Sequence, residues 1–322
     1  MKKLAYLVSA VAATFTTAAH ADVSVSGAAD VGYLNDQAGD GNIALGSSVA
    51  FALSTTTANG ITISTSLSQT IDQDTDDAGS GTGGGKALTF ATGGATIVVG
   101  DIELGDTPGS VGGTVGNLVG DGNGFDSDVK SGFGDDDGMG VSFATTVGGA
   151  SVSFGYIVND DGDNKANIDA TGAQTMSAFT LSMPMGAYTL SAGVANHDSG
   201  ESASGASVAA AVGGGTLTVG YSQQSLKGAT AYDAGTDLTV ADGDTTVLGA
   251  TYSMSLDADT TIAVGYQSTK DGDSQSMTET DLSISRSLGG GASVYLDVRN
   301  LQGDVDSSKS GSAMGFGTSV SF

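Results

Sequence analysis

Cysteine is absent from the 322 residues. The chain therefore has no disulfide staples and no thiolate chemistry, and small secreted domains usually depend on such staples whereas a closed β-barrel does not. Basic residues are scarce as well: ten Lys and Arg stand against 36 Asp and Glu, giving a formal charge of −26. So negative a chain is a poor partner for nucleic acid, whose phosphates demand Lys and Arg. Self-repulsion also opposes a tightly packed soluble globule. Histidine numbers two, His20 and His197, so no nucleophile–base pair or His-containing metal set can be assembled, and an enzyme is not expected. Beyond the first twenty residues no apolar run approaches the length of a transmembrane helix. A membrane protein without such a run has to cross as a closed barrel, because only there is every backbone polar group satisfied. Proline occurs twice and glycine 52 times. That excess of glycine would suit disorder, but the apolar residues recur periodically rather than at random.

The N-terminus carries an export signal. Met1-Lys2-Lys3 is positive, Leu4 to Ala19 is uncharged and apolar, and Ala19-His20-Ala21 offers small residues where signal peptidase reads. Cleavage after Ala21 leaves a mature chain over 22–322, and losing Lys2 and Lys3 brings its formal charge to −28.

Alternation of apolar with small or polar residues marks sixteen strands, near 23–33, 43–53, 61–71, 86–92, 95–101, 139–147, 150–158, 174–183, 187–195, 203–212, 215–224, 245–256, 259–268, 277–288, 291–300 and 311–322. Their connections are alternately short and long. Short turns are expected at Gly93-Gly94, Gly148-Gly149, Pro184-Met185-Gly186, Gly213-Gly214, Asp257-Ala258-Asp259 and Gly289-Gly290. Eight long Asp- and Gly-rich loops alternate with the short turns, at 34–42, 72–85, 102–138, 159–173, 196–202, 225–244, 269–276 and 301–310, the longest running from Ile102 to Gly138. Short turns at one end and long loops at the other, with an even strand number, are the pattern of an outer-membrane barrel. The aromatics agree, since Tyr33, Phe154, Tyr156, Tyr221, Tyr266 and Phe316 fall on apolar parities. The tripeptides Val31-Gly-Tyr33, Phe154-Gly-Tyr156, Val219-Gly-Tyr221 and Val264-Gly-Tyr266 each end an odd-numbered strand. An aromatic girdle at the outer interface is the expected result. The opposite parity holds Ser, Thr, Gly, Ala and occasional Asp, a face suited to water, and sixteen strands enclose a bore too wide for side chains to fill. The last strand, Gly311 to Phe322, alternates in the same way, with Met314, Phe316, Thr318, Val320 and Phe322 on one face.

Signal, sixteen strands, eight long loops with a long third one, seven short turns and a terminal Phe together resemble the Gram-negative general porin family, most closely the alphaproteobacterial type. The most specific local pieces are Val98-Val99-Gly100-Asp101 and the strand ending at Phe322. The resemblance covers the whole mature chain. It implies a 16-stranded antiparallel transmembrane β-barrel in the outer membrane, with short periplasmic turns and long external loops. It further implies a homotrimer surrounded by outer-membrane lipid, passing small hydrophilic solutes, and a loop 3 over 102–138 that folds inward and narrows the pore.

If that loop hangs into the bore, Asp101, Glu103, Asp106, Asp121, Asp126 and Asp128 become the expected constriction, attracting cations and repelling anions. The same acids would equally serve to solvate an external loop. Porins of this kind usually oppose an acidic loop with a basic cluster, yet here only Arg299, beside Asp297, falls on the inward parity of a strand. Arg286 shares parity with Ile284 and Leu288 and is expected to snorkel at the periplasmic interface, while Lys86 belongs to the rim. The expected pore is therefore cation-selective. No cofactor is implied. Asp72, Asp74, Asp76 and Asp160, Asp161, Asp163 supply hard oxygens that suit Ca²⁺, without the twelve-residue loop and terminal Glu of an EF-hand; solvated loop acids account for them too. Gly120 to Asp126 resembles a single calcium-binding nonapeptide, which alone makes no β-roll. The competing expectation is an Asp/Gly-rich, calcium-dependent surface structural or adhesive protein built as a solenoid, which would require a fixed internal period.

Overall fold

The computed structural model describes residues 21–35, 41–72, 80–84, 87–104, 137–158, 175–197, 200, 202–226, 243–270, 276–303 and 310–322. The order of strands is β1 (Ala21–Asn35), β2 (Gly41–Thr56), β3 (Thr62–Asp72), β4 in two pieces (Ser80–Gly84 and Ala87–Thr92), β5 (Ala95–Glu103), β6 (Asp137–Val147), β7 (Ala150–Val158), β8 (Thr175–Met185), β9 (Tyr188–His197), β10 (Ser202–Val212), β11 (Gly215–Leu226), β12 (Gly243–Ser255), β13 (Thr260–Lys270), β14 (Ser276–Gly289), β15 (Ala292–Gly303) and β16 (Gly311–Ser321). Each pairs antiparallel with its sequence neighbours. β16 returns to pair with β1, from Ala28 opposite Ser321 to Asn35 opposite Met314. The result is a closed barrel of sixteen strands with no free edge.

The strands exist because of their alternation, and the alternation has an unusual sense. Val25, Ile43, Phe51, Leu88, Phe143, Phe154, Tyr221 and Phe316 are exposed, whereas Gln267, Glu279, Asp281, Asp297 and Arg299 are buried. A molecule that exposes its large apolar side chains and buries its charged ones has lipid outside and a polar interior. Tyr33, Tyr156, Tyr221 and Tyr266 lie outward in the loop-side part of β1, β7, β11 and β13. A second outward set, Tyr188, Tyr252 and Phe322, lies near the short turns, so aromatics mark both interfaces.

Short connections occupy one end: 57–61, 93–94, 148–149, 186–187, 213–214, 256–259 and 290–291. Gly148 and Gly149 adopt φ of 60° and 86°, and Gly213 and Gly214 adopt 57° and 88°. Two successive positive φ values make the hairpin turn whose twist matches the flanking strands, and glycine reaches them without a Cβ penalty. At the other end most strands run further than the alternation predicts; β1 and β2 are joined by residues 36–40 alone, whereas β7 ends at Val158 as expected. Three local expectations are corrected. The fourth strand starts earlier, at Ser80, and is described in two pieces, Ser80–Gly84 and Ala87–Thr92, that both pair with β3. Pro184 lies within β8 opposite Thr189, and the turn is Gly186–Ala187. Gly289 still belongs to β14, where the register shifts between Ser287 and Gly289, so that turn is Gly290–Gly291. The solenoid fails on connectivity, because antiparallel hairpins closing on themselves are not stacked repeats.

Candidate pore lining

The inward face follows from strand parity. In β14 it carries Met277, Glu279, Asp281 and Ser283; in β15 it carries Tyr295, Asp297, Arg299 and Leu301. Register places Asp281 beside Arg299, Ser283 beside Asp297 and Glu279 beside Leu301. The Arg299 guanidinium turns its Nε to both neighbours on β14, 3.0 Å from Glu279 Oε1 and 3.3 Å from Asp281 Oδ1. All four charged side chains are buried; Glu279 has no exposed surface. Their close packing against one wall reflects the small inward residues around them, Gly265 on β13 and Ala313 and Gly315 on β16. Asp30 of β1 also lies on inward parity, between the buried Gly32 and the more exposed turn-side end.

A second inward patch is apolar. Ile102, Leu104, Ile157, Met176, Ala195 and Ala203 are buried together, with Val98 and Ala178 packed against them. Such a patch is out of place on a wetted wall unless chain packs onto it. Leu104, the first residue beyond β5, supplies part of that packing: a Cβ added to Gly155 would strike Leu104 Cδ2, and one added to Gly140 would come within 2.9 Å of Ile102 Cδ1. Glycine at 140 and 155 thus leaves the hollows into which the chain seats as it leaves β5.

The predicted site residues separate into three groups. Asp297 and Arg299 lie together on the inward wall, as parity implies. Asp101 does not: it follows Ile97 and Val99 on the outward parity of β5, opposite Met139 and one pair beyond Tyr156 toward the loop end. β5 continues to Glu103, opposite Asp137. Continuation of the ladder past Asp101 fixes its direction, so it does not face the bore. Asp106, Asp121, Asp126 and Asp128 lie outside the described residues. Of the calcium candidates, Asp72 ends β3 opposite Gly46, and Asp74, Asp76, Asp160, Asp161 and Asp163 lie outside the described residues. Among the described residues, no group of three or more potential metal ligands comes together. Sequence reasoning missed Glu279, Asp281 and Asp30 as wall residues. The signal was available, since Leu282 and Ile284 fix the outward parity of their strand and leave 279 and 281 inward.

Arg286 is outward at the turn end, half-exposed. Its Nη1 donates to Thr260 Oγ1 at 2.8 Å and lies 3.4 Å from Asp257 Oδ2. Asp257 Oδ1 accepts from the amides of Asp259 and Thr260 at 2.9 and 2.8 Å. The Asp259 amide, then the Thr260 hydroxyl and the Arg286 charge, hold this carboxyl below its usual range.

The geometry can be set beside known proteins. No curated protein sequence matches. The anion-selective porin from Comamonas acidovorans is 18% identical, with 94% of this chain and 100% of that chain aligned and a TM-score of 0.65. The in-vitro folded trimer form of OmpT, an outer-membrane protein of Vibrio cholerae, is 13% identical over 94% and 99%, with a TM-score of 0.67. A triple mutant of the Rhodopseudomonas blastica porin is 16% identical over 94% and 100%, with a TM-score of 0.63. At these identities the likeness is one of fold. The family described as Gram-negative porin matches residues 8–306. With the sequence profile spanning nearly the whole chain and the barrel closed as in solved porins, this chain belongs to the Gram-negative porin family and is a multi-pass β-barrel of the outer membrane.

Proposed function

We propose that this porin forms a homotrimer of water-filled channels through which small hydrophilic solutes diffuse passively, with cations favoured over anions. The observation that carries the ion preference is the charge of the inward wall. Among the described residues on the inward parity of strands, the carboxylates Asp22, Asp30, Glu279, Asp281 and Asp297 outnumber the basic side chains Arg299 and His197. In a bore with low-dielectric walls, an excess of fixed negative charge raises local cation concentration and lowers that of anions. Leu104 turning inward against Gly155 supports a loop 3 that starts down the inner wall, and Asp106, Asp121, Asp126 and Asp128 would then add to the same field. The trimer rests on family membership and on the trimer form of the similar Vibrio protein.

The test is the reversal potential of single channels in a planar bilayer under a KCl gradient. A potential displaced toward that of K⁺ supports the reading. One at zero or displaced toward Cl⁻ overturns the cation preference, and the absence of stepwise openings from folded trimer overturns the channel.

A further inference from the structure

We infer that the outer face of β8–β11 carries a lipid site, a pit that seats one ester-linked acyl chain of the outer leaflet. This goes beyond the channel reading and does not depend on it, because it needs only a barrel in the outer membrane. The pit arises from side-chain size. Register pairs Leu181 with Ala192, Ala192 with Ala206 and Ala206 with Tyr221, so these four form one row on the outward parity of the four strands. Two alanines in the middle of that row leave a hollow between a leucine and a tyrosine. The next row toward the loops is Phe179, Val194 and Ser204. Together they enclose a cavity of about 470 Å³ whose floor is the backbone of Gly193 and Gly205. Phe179, Val194 and Tyr221 stay exposed, so no described part of the chain covers it.

Place and chemistry decide the occupant. Tyr221 belongs to the loop-side aromatic level, so the pit opens in the outer half of the belt that lipid surrounds. A second copy of the chain is the competing occupant. The outward polar side chains that hydrocarbon disfavours, Ser47, Thr65 and Gln69, lie on β2 and β3, however, at least five strands away round the barrel. A protein neighbour belongs against those strands, and β8–β11 are left to lipid. Apart from the phenol of Tyr221, the only polar side chain lining the pit is Ser204. It stands at the loop-side edge, where an acyl ester carbonyl can accept from its hydroxyl. Within a bilayer a chain gains nothing from leaving water, so dispersion contact has to hold it, and a hollow supplies that on more sides than a flat wall.

The test is photo-crosslinking in vesicles of phosphatidylcholine doped with a phosphatidylcholine that carries a diazirine on one acyl chain. Protein folded into these vesicles, checked by its unboiled gel mobility, is irradiated, and labelled residues are located by mass spectrometry. Labelling of Leu181, Ala192, Ala206 and Tyr221 should exceed that of Leu248, Val264 and Leu282, outward on β12–β14, by about three- to ten-fold, the advantage of the added dispersion contacts. Ala192→Leu combined with Ala206→Leu fills the hollow. It should bring Leu181 and Tyr221 down to the level of those three residues and leave theirs unchanged. Equal labelling of both places in the parent makes the belt uniform and overturns the site. An excess that persists in the filled variant overturns it too, since the hollow is then not what holds the chain. Weaker labelling at the pit also overturns it, and disulfide-linked pairs formed by Ala206→Cys, in a chain otherwise without cysteine, would then identify a second copy as the occupant. If the double variant does not fold, Ala192→Leu alone decides by the same comparison.

Discussion

Tyr33 and Phe316 face outward across the seam where the last strand meets the first, with ring centroids 5.6 Å apart and planes inclined at 37°. At the turn-side end of the same seam, the amide of Phe322 donates to Gly27 O at 2.9 Å. The seam is the one place where pairing joins the two ends of the sequence, so side-chain contacts there stabilise closure itself. An aromatic pair of this kind contributes about 0.5–1.5 kcal/mol beyond burial. Phe316→Ala should therefore lower the temperature at which the folded barrel converts to the unfolded form on a gel, whereas Phe143→Ala should lower it less. Gly155 makes a different prediction. Gly155→Val would drive a side chain into Leu104 and should destabilise by about 1–3 kcal/mol through overpacking, read as a fall in the urea midpoint of refolded protein. Residue by residue, the sequence was legible wherever strand parity was fixed from both sides. Asp297 and Arg299 are inward because Leu296 and Val298 are outward. Asp101 shares the parity of Ile97 and Val99 within the strand expected over 95–101, so its outward face was legible there, and the continuation of the ladder to Glu103 keeps it.

Elements show the same division between what alternation dictates and what it leaves open. Strands such as β11 and β13 could be recognised because a polar residue follows almost every apolar one. The first piece of β4, Ser80–Gly84, is mostly glycine, and Thr82 alone between its glycines does not report the period. Pro184 reads as a turn residue, yet it sits in a strand close to its end, where the missing N–H costs least. Turns depend on caps that the sequence announces only weakly. Asp257 accepts two amide hydrogen bonds at 256–259 and draws Arg286 toward the same turn. Its carboxyl is held below the ordinary 3.8. The folded state therefore favours the ionised form, and the resulting stability is present above that ordinary value and lost as pH falls through the lower folded value. Asp257→Asn should accordingly unfold at lower urea than the parent at pH 7. The two midpoints should converge as the pH is taken below the ordinary carboxylate range. Midpoints that differ equally at both pH values would mean that the charge of Asp257 does not contribute.

At the scale of the whole molecule, the distribution of polarity is inverted: apolar and aromatic residues outside, carboxylates and one guanidinium within. Alternation predicted this inversion, along with the strand number and the closed topology, because each strand carries it independently. Long-range juxtaposition was not legible. Nothing in the local pattern says that Glu279 and Asp281 will hold Arg299, or that Ile102, Leu104, Ile157 and Met176 will form one inward apolar patch. Those depend on register across the sheet, and register is set by the barrel as a unit. The central claim is a wet bore whose wall carries excess negative charge, and it is tested most directly by liposome swelling with solutes of similar size and different charge. Proteoliposomes should swell fastest with a small ammonium compound, more slowly with a neutral sugar alcohol and slowest with a small carboxylate, and the differences should shrink as salt is raised. Swelling fastest with the carboxylate, or none with any of the three, would contradict the account.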